Sequence, residues 1–153
     1  MSRLTPGPCW RVSAPTDHEE FIRRLHDLLP PRSVLYLEGG SPDRAILEFM
    51  HARACEPQLK LALGTIWPRP QVFHIPATVE NLTDLAAVFG NHATPEICIH
   101  FHAYCEQTVV LQWHDAFFDD PLYLCPSFRN RESRRSVRRV PVRTSWIRAR
   151  SRS

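Results

Sequence analysis

The chain has 153 residues, 43% of them hydrophobic and 23% charged, with a formal net charge of +3, the balance of one globular domain with its own core. No apolar run approaches the roughly 18 residues of a membrane-spanning helix. Pro6, Pro8 and Pro15 interrupt the segment where a signal peptide needs an unbroken apolar stretch, so a soluble cytoplasmic domain without membrane association is expected.

Residues 1–15 read as an irregular lead-in. Asp17 to Leu29 carries helix signals, with Thr16 or Asp17 as N-cap, Glu19 and Glu20 in the first turn, a stripe of Phe21, Ile22, Leu25, Leu28 and Leu29, and Pro30-Pro31 as terminator. Ser33 to Leu37 follows as a buried strand. The segment Glu38-Gly39-Gly40-Ser41-Pro42-Asp43 then turns from strand to helix, with Ser41 as cap and Pro42 at the first helical position. It lacks the full glycine patterns of phosphate cradles, and Glu38 and Asp43 repel anions, so its glycines read as positive-φ turn residues. The helix runs to about Ala54 on a face of Ile46, Phe49 and Met50.

Leu59, Leu61 and Leu63 alternate as a short strand, and Trp67 in the proline-rich connection plugs a core edge. Gln71 to Ile75 is another strand. Thr78 opens a helix that buries Val79, Leu82, Leu85, Ala86 and Phe89 and closes at Gly90-Asn91. Ile97 to Cys105 and Thr108 to His114 alternate around a Glu106-Gln107 turn, and Leu122 to Cys125 returns as a third strand. Helices early and hairpins late predict an α+β domain over residues 16–128, in two layers, with about three helices on one face of a mixed, mostly antiparallel sheet whose other face is partly open.

Residues 1–128 hold 9 basic and 15 acidic side chains, a net of −6, whereas Arg129 to Ser153 hold 10 arginines against Glu132, a net of +9. That tail has three readings: a disordered basic extension, an arm that binds nucleic acid through phosphate neutralisation, or an out-of-frame stretch of GC-rich sequence, since Lys60 is the only lysine against 18 arginines. Five cysteines, Cys9, Cys55, Cys98, Cys105 and Cys125, form no CxxC pair, so free thiols are expected.

Chemistry concentrates on the late strands. Period-2 alternation sends Ile97, Ile99 and Phe101 inward with Val109, Leu111 and Trp113, and sends Glu96, Cys98, His100, His102 and Tyr104 outward with Val110, Gln112 and His114. His74 faces the same way from its own strand. A His-x-His pair with a third imidazole is a ligand set for a divalent ion such as zinc. His100, His102 and either His74 or His114 would hold it, with Glu96 or Asp115 as general base, in a hydrolase or lyase. Cys98 beside His100 is a weaker nucleophile pair. The loop from His114 to Pro121 carries Phe117, Phe118, Asp119 and Asp120 after Trp113, the aromatic-and-acid composition of a protein-binding edge. The leading reading is a binding or regulatory module that meets a protein partner through the open sheet face and this loop. A metal-dependent enzyme and nucleic-acid binding by the tail are the alternatives.

Overall fold

The computed structural model describes residues 10–59, 70–118 and 120–125, with the backbone of 147–148. Strand β1 (Trp10–Val12) leads into helix α1 (His18–Leu28), β2 (Val34–Glu38), α2 (Arg44–Arg53), β3 (Val72–Pro76) and α3 (Val79–Asn91). A single turn, α4 (Thr94–Ile97), precedes β4 (His100–Cys105), β5 (Thr108–Trp113), β6 (Leu122–Leu124) and β7 (Ile147–Arg148). The strand expected at Leu59 to Leu63, the role given to Trp67, and the arginine-rich tail apart from β7 fall outside the described residues.

The strands form one sheet in the order β3-β2-β4-β5-β6-β1-β7. Every neighbouring pair among the described strands is antiparallel, so the expected antiparallel majority is complete. Helices cover one face in an α+β, two-layer arrangement. Their apolar stripes, Phe21, Ile22, Leu25 and Leu28 of α1, Ile46 and Met50 of α2, and Leu82, Leu85, Ala86 and Phe89 of α3, pack on Leu35, Leu37, Ile75, Phe101, Leu111 and Trp113 of the sheet. No helix of the described residues is long and apolar enough to cross a membrane.

Side chains satisfy the first backbone N–H groups of the three longer helices, as their sequences require. Asp17 accepts from Glu20 N at 2.9 Å, Asp43 from Ile46 N at 2.8 Å and Thr78 from Asn81 N at 3.2 Å. The α2 cap is therefore Asp43 rather than Ser41. Ser41 N instead donates to Pro95 O at 3.2 Å, which ties the preceding loop to α4. Val79, in the first turn of α3, is 56% exposed and no part of the core.

Two further departures concern the late strands. Residues 94–97 form a helical turn, so the strand begins only at His100 and the alternation does not extend back to Glu96. Cys98 consequently joins the helix-side core and Ile99 is 39% exposed, the reverse of the expected facing. Between β4 and β5 the register shifts at Ala103/Tyr104, where Ala103 pairs with Leu111 but Tyr104 with Val109. The extra residue, Val110, turns into the main core, while Val109 packs with Tyr104 on the other face.

Gly39 and Gly40 adopt φ of 79° and 92°, as a positive-φ turn demands. A Cβ at Gly40 would stand 2.8 Å from Ile97 O. Gly40→Ala is therefore expected to cost roughly 2–4 kcal/mol through backbone strain and steric conflict with main chain. Gly90→Ala, in α3, meets only the movable carboxylate of Glu19 and is expected to stay within about 1 kcal/mol of the parent. Urea denaturation of both variants checks the contrast, and equal losses would contradict it.

Candidate functional site

Away from the helices, antiparallel pairing lines polar side chains into rows. Tyr36 of β2 stands opposite His74 of β3 on one side and His102 of β4 on the other, and His102 stands opposite Gln112 of β5. A neighbouring row places Val72 and His100 on either side of Glu38. The centre of this face is closed. Val34, Tyr36, Leu59, Tyr104 and Val109 form a second buried cluster, and Glu38, His74 and His102 are buried beside it.

Buried polar groups need partners, and most here have them. The Tyr36 hydroxyl donates to Glu38 Oε2 at 2.7 Å, and burial together with Glu38 raises the Tyr36 pKa, which keeps it a donor. Tyr104 lies 2.8 Å from His74 Nδ1 and accepts from Gln58 N at 3.2 Å. Burial lowers the His74 pKa, so that ring is held neutral.

Three imidazoles meet at the end of the face where β2 finishes and β4 begins. His100 and His102 are parallel within 11°, with ring centroids 6.3 Å apart, and His114 lies 4.6 Å from His102 and 5.5 Å from His100. His74 is not among them, because β2 intervenes and two strand spacings amount to about 10 Å. The third imidazole beside His100 and His102 is thus His114.

Backbone geometry sets the tautomers. Trp113 N donates to His102 Nδ1 at 3.2 Å and Asp115 N donates to His100 Nδ1 at 3.1 Å. A neutral imidazole that accepts at Nδ1 carries its proton at Nε2, so both rings present Nε2–H. A neutral ring in that state has no lone pair at Nε2 for a metal ion. Among the described residues no group of three or more His, Cys, Asp or Glu side chains is arranged to hold a metal. His102 Nε2 is the one buried side-chain polar atom of the described residues without a hydrogen-bond partner.

The other candidate residues are dispersed. Glu96 sits on α4, where its Oε2 accepts from Ala93 N at 3.0 Å, so its carboxylate caps its own turn. Asp115 is exposed beside the imidazoles. Cys98 is buried on the helix side, where burial raises its thiol pKa, and it forms no pair with His100. Trp113 is fully buried and donates through Nε1 to Asp120 O at 2.9 Å. Phe117 turns inward, 4.6 Å from Trp113 and 4.7 Å from Phe89 between ring centroids. Phe118 is 56% exposed and Asp120 is exposed, while Asp119 lies outside the described residues. A separate groove of about 590 Å³ at the opposite end of the sheet is lined by Arg32, Pro76, Thr78, Val79 and Glu106 among others. Sequence reasoning did not single out Tyr36 or Glu38, because a tyrosine and a strand-end glutamate carry no spacing signal of their own.

Burial, with smaller contributions from the neighbouring His114 and then His100 imidazoles, pushes the His102 pKa down to about 3 from the ordinary 6.5. Below 6.5 the unfolded chain therefore binds a proton that the folded chain refuses, and stability falls as pH falls through that window. From pH 7 to pH 4 the loss from His102 alone is about 3 kcal/mol. In His102→Asn, which retains an acceptor for Trp113 N but cannot titrate, denaturant midpoints between pH 6.5 and 4 are expected to fall less steeply. Identical slopes would contradict the assignment.

Comparison with family models, with curated proteins and with solved structures finds no match to this chain.

Proposed function

We propose that this protein is a binding module that recognises its partner through the imidazole end of the second sheet face and the loop that begins at His114. The observation that carries this reading is the unpartnered Nε2 of His102. An unmet buried donor costs about 1–3 kcal/mol, and a ligand acceptor arriving there recovers it. The surroundings suit recognition more than catalysis. His100 and His102 accept at Nδ1 and so present Nε2–H, the Cys98 thiol is buried on the helix side, and Glu96 is occupied in capping. Phe118, exposed on the same loop, adds apolar contact at the rim.

A cytoplasmic setting accords with the four described cysteines, all free thiols. The metal-dependent enzyme is the weaker reading, because two of its ligands hold protons where the ion would bind. Nucleic-acid binding through residues 129–153 draws its support from the charge of that segment alone.

Two measurements on the full chain test the proposal. Fragment screening by two-dimensional 1H–15N spectra is expected to give saturable shifts centred on the amides of Trp113 and Asp115. Hits confined to the groove at Arg32 and Thr78 would overturn the assignment. Elemental analysis of protein prepared without a histidine tag is expected to find no stoichiometric metal. About one equivalent of zinc, lost in the double variant His100→Ala, His102→Ala, would make the enzyme reading the correct one.

A further inference from the structure

The two amide-to-imidazole bonds of the cluster respond differently to acid. A neutral imidazole accepts at one nitrogen, whereas an imidazolium is protonated at both and accepts at neither. No rotation of the ring restores the lone pair. Asp115 N–H, whose nitrogen lies 3.1 Å from His100 Nδ1, therefore loses this acceptor whenever His100 takes up a proton. His100 is half-buried, while His102, which accepts from Trp113 N at 3.2 Å, is fully buried. Burial lowers the His102 pKa to about 3, so the bond from Trp113 is kept through mild acid.

The Asp115 bond sits in a strained turn. Asp115 and Phe117 hold φ of 44° and 71°, and such backbone persists only where its surroundings over-determine it. Three sets of contacts do so here: the bond to His100, Ala116 N on Ile99 O at 2.7 Å, and the Phe117 ring against Trp113, Phe89 and His18. Only the first is a hydrogen bond that protonation removes, since His18 bonds to the Pro15 backbone rather than to the turn. Among the described residues, the titratable groups around His100 are Glu38 opposite it on β2, His102 on its own strand, and His114 and Asp115 at the end of β5. Their charges help set the pH at which His100 is protonated. They do not alter the loss of the lone pair that follows.

We propose that the reversal after β5 is an acid-sensitive latch, in which protonation of His100 releases Asp115 N–H and frees the strained turn, while the bond from Trp113 to His102 keeps β5 in place. The latch depends on this geometry alone and operates with or without a partner at the loop.

The test is a titration from pH 7.5 to pH 5 of the full chain labelled uniformly with 15N. Ring-nitrogen shifts follow the protonation of each histidine, and 15N–15N couplings across the N–H···N hydrogen bonds report both bonds directly. At pH 7.5 couplings are expected from Asp115 N to His100 Nδ1 and from Trp113 N to His102 Nδ1. The first is expected to vanish in step with His100 protonation, and the Asp115 amide to lose about tenfold in protection against hydrogen exchange, measured against the intrinsic rate at each pH. The second is expected to persist. His100→Asn, whose side-chain oxygen accepts but does not titrate, should hold the Asp115 protection constant across the range. His114→Gln should leave the parent's response intact.

A coupling to His100 absent at pH 7.5 would overturn the bond on which the latch depends. Protonation of His100 with unchanged Asp115 protection, or a His100 that stays neutral to pH 5, would overturn the latch itself. Loss of the response in His114→Gln would assign it to repulsion between imidazoles and overturn the lone-pair mechanism. The parent's couplings and exchange rates decide between latch and no latch independently of either variant.

Discussion

The five residues of β2 are buried on both faces, and this constraint shapes the molecule on either side of the sheet. Alternation sends Leu35 and Leu37 into the helix-covered core and Val34, Tyr36 and Glu38 to the other side. A tyrosine and a glutamate so placed must find partners inside the protein. The hydroxyl of Tyr36 and the carboxylate of Glu38 find each other at 2.7 Å. With β3 and β4 paired on its two sides, β2 also decides which histidines flank Tyr36 and which one is kept away from the imidazole cluster.

What those histidines can do depends on main-chain donors rather than on their number. Three imidazoles within 4.6–6.3 Å would ordinarily suggest a metal centre. Metal-bound imidazole commonly directs its other nitrogen as a donor to a carbonyl or carboxylate. Here the corresponding nitrogens of His100 and His102 accept from amides instead. The same side chains therefore present Nε2–H donors. One hydrogen bond per ring separates two functional classes that the spacing His100-Phe101-His102 leaves indistinguishable.

Local signals carried much of the fold. The caps and apolar stripes of α1 and α3, the turn at Glu106-Gln107, and the common face of His100, His102 and His114 were all legible, because each depends on neighbours in sequence or on one short hairpin. Placing β2 between β3 and β4 requires contacts distant in sequence, so the exclusion of His74 was not legible. Pro95 and Glu96 do signal a helical turn, but Ile97-Cys98-Ile99 imitates strand alternation and masks it. The extra residue at Val110 sits in an apolar run, Val109 to Leu111, that is buried on both faces, where no polar side chain marks the change of side. Tyrosine and histidine are equally at home on wet and buried faces, so the closure of the second face had no compositional mark.

The site is joined to the core through the loop that follows β5. Asp115 and Phe117 have φ of 44° and 71°, left-handed values that cost about 1–3 kcal/mol each for side-chain-bearing residues. Phe117 offsets that cost by packing against Trp113, Phe89 and His18 at centroid distances of 4.6–4.8 Å, and Ala116 N bonds to Ile99 O at 2.7 Å. These contacts hold the reversal that brings Asp115 N onto His100 Nδ1, while β5 itself delivers Trp113 N to His102 Nδ1. The aromatic core on one side of the sheet thus fixes the amides that determine where the protons sit on the other. Core packing and the chemistry of the imidazoles are therefore a single property of this fold.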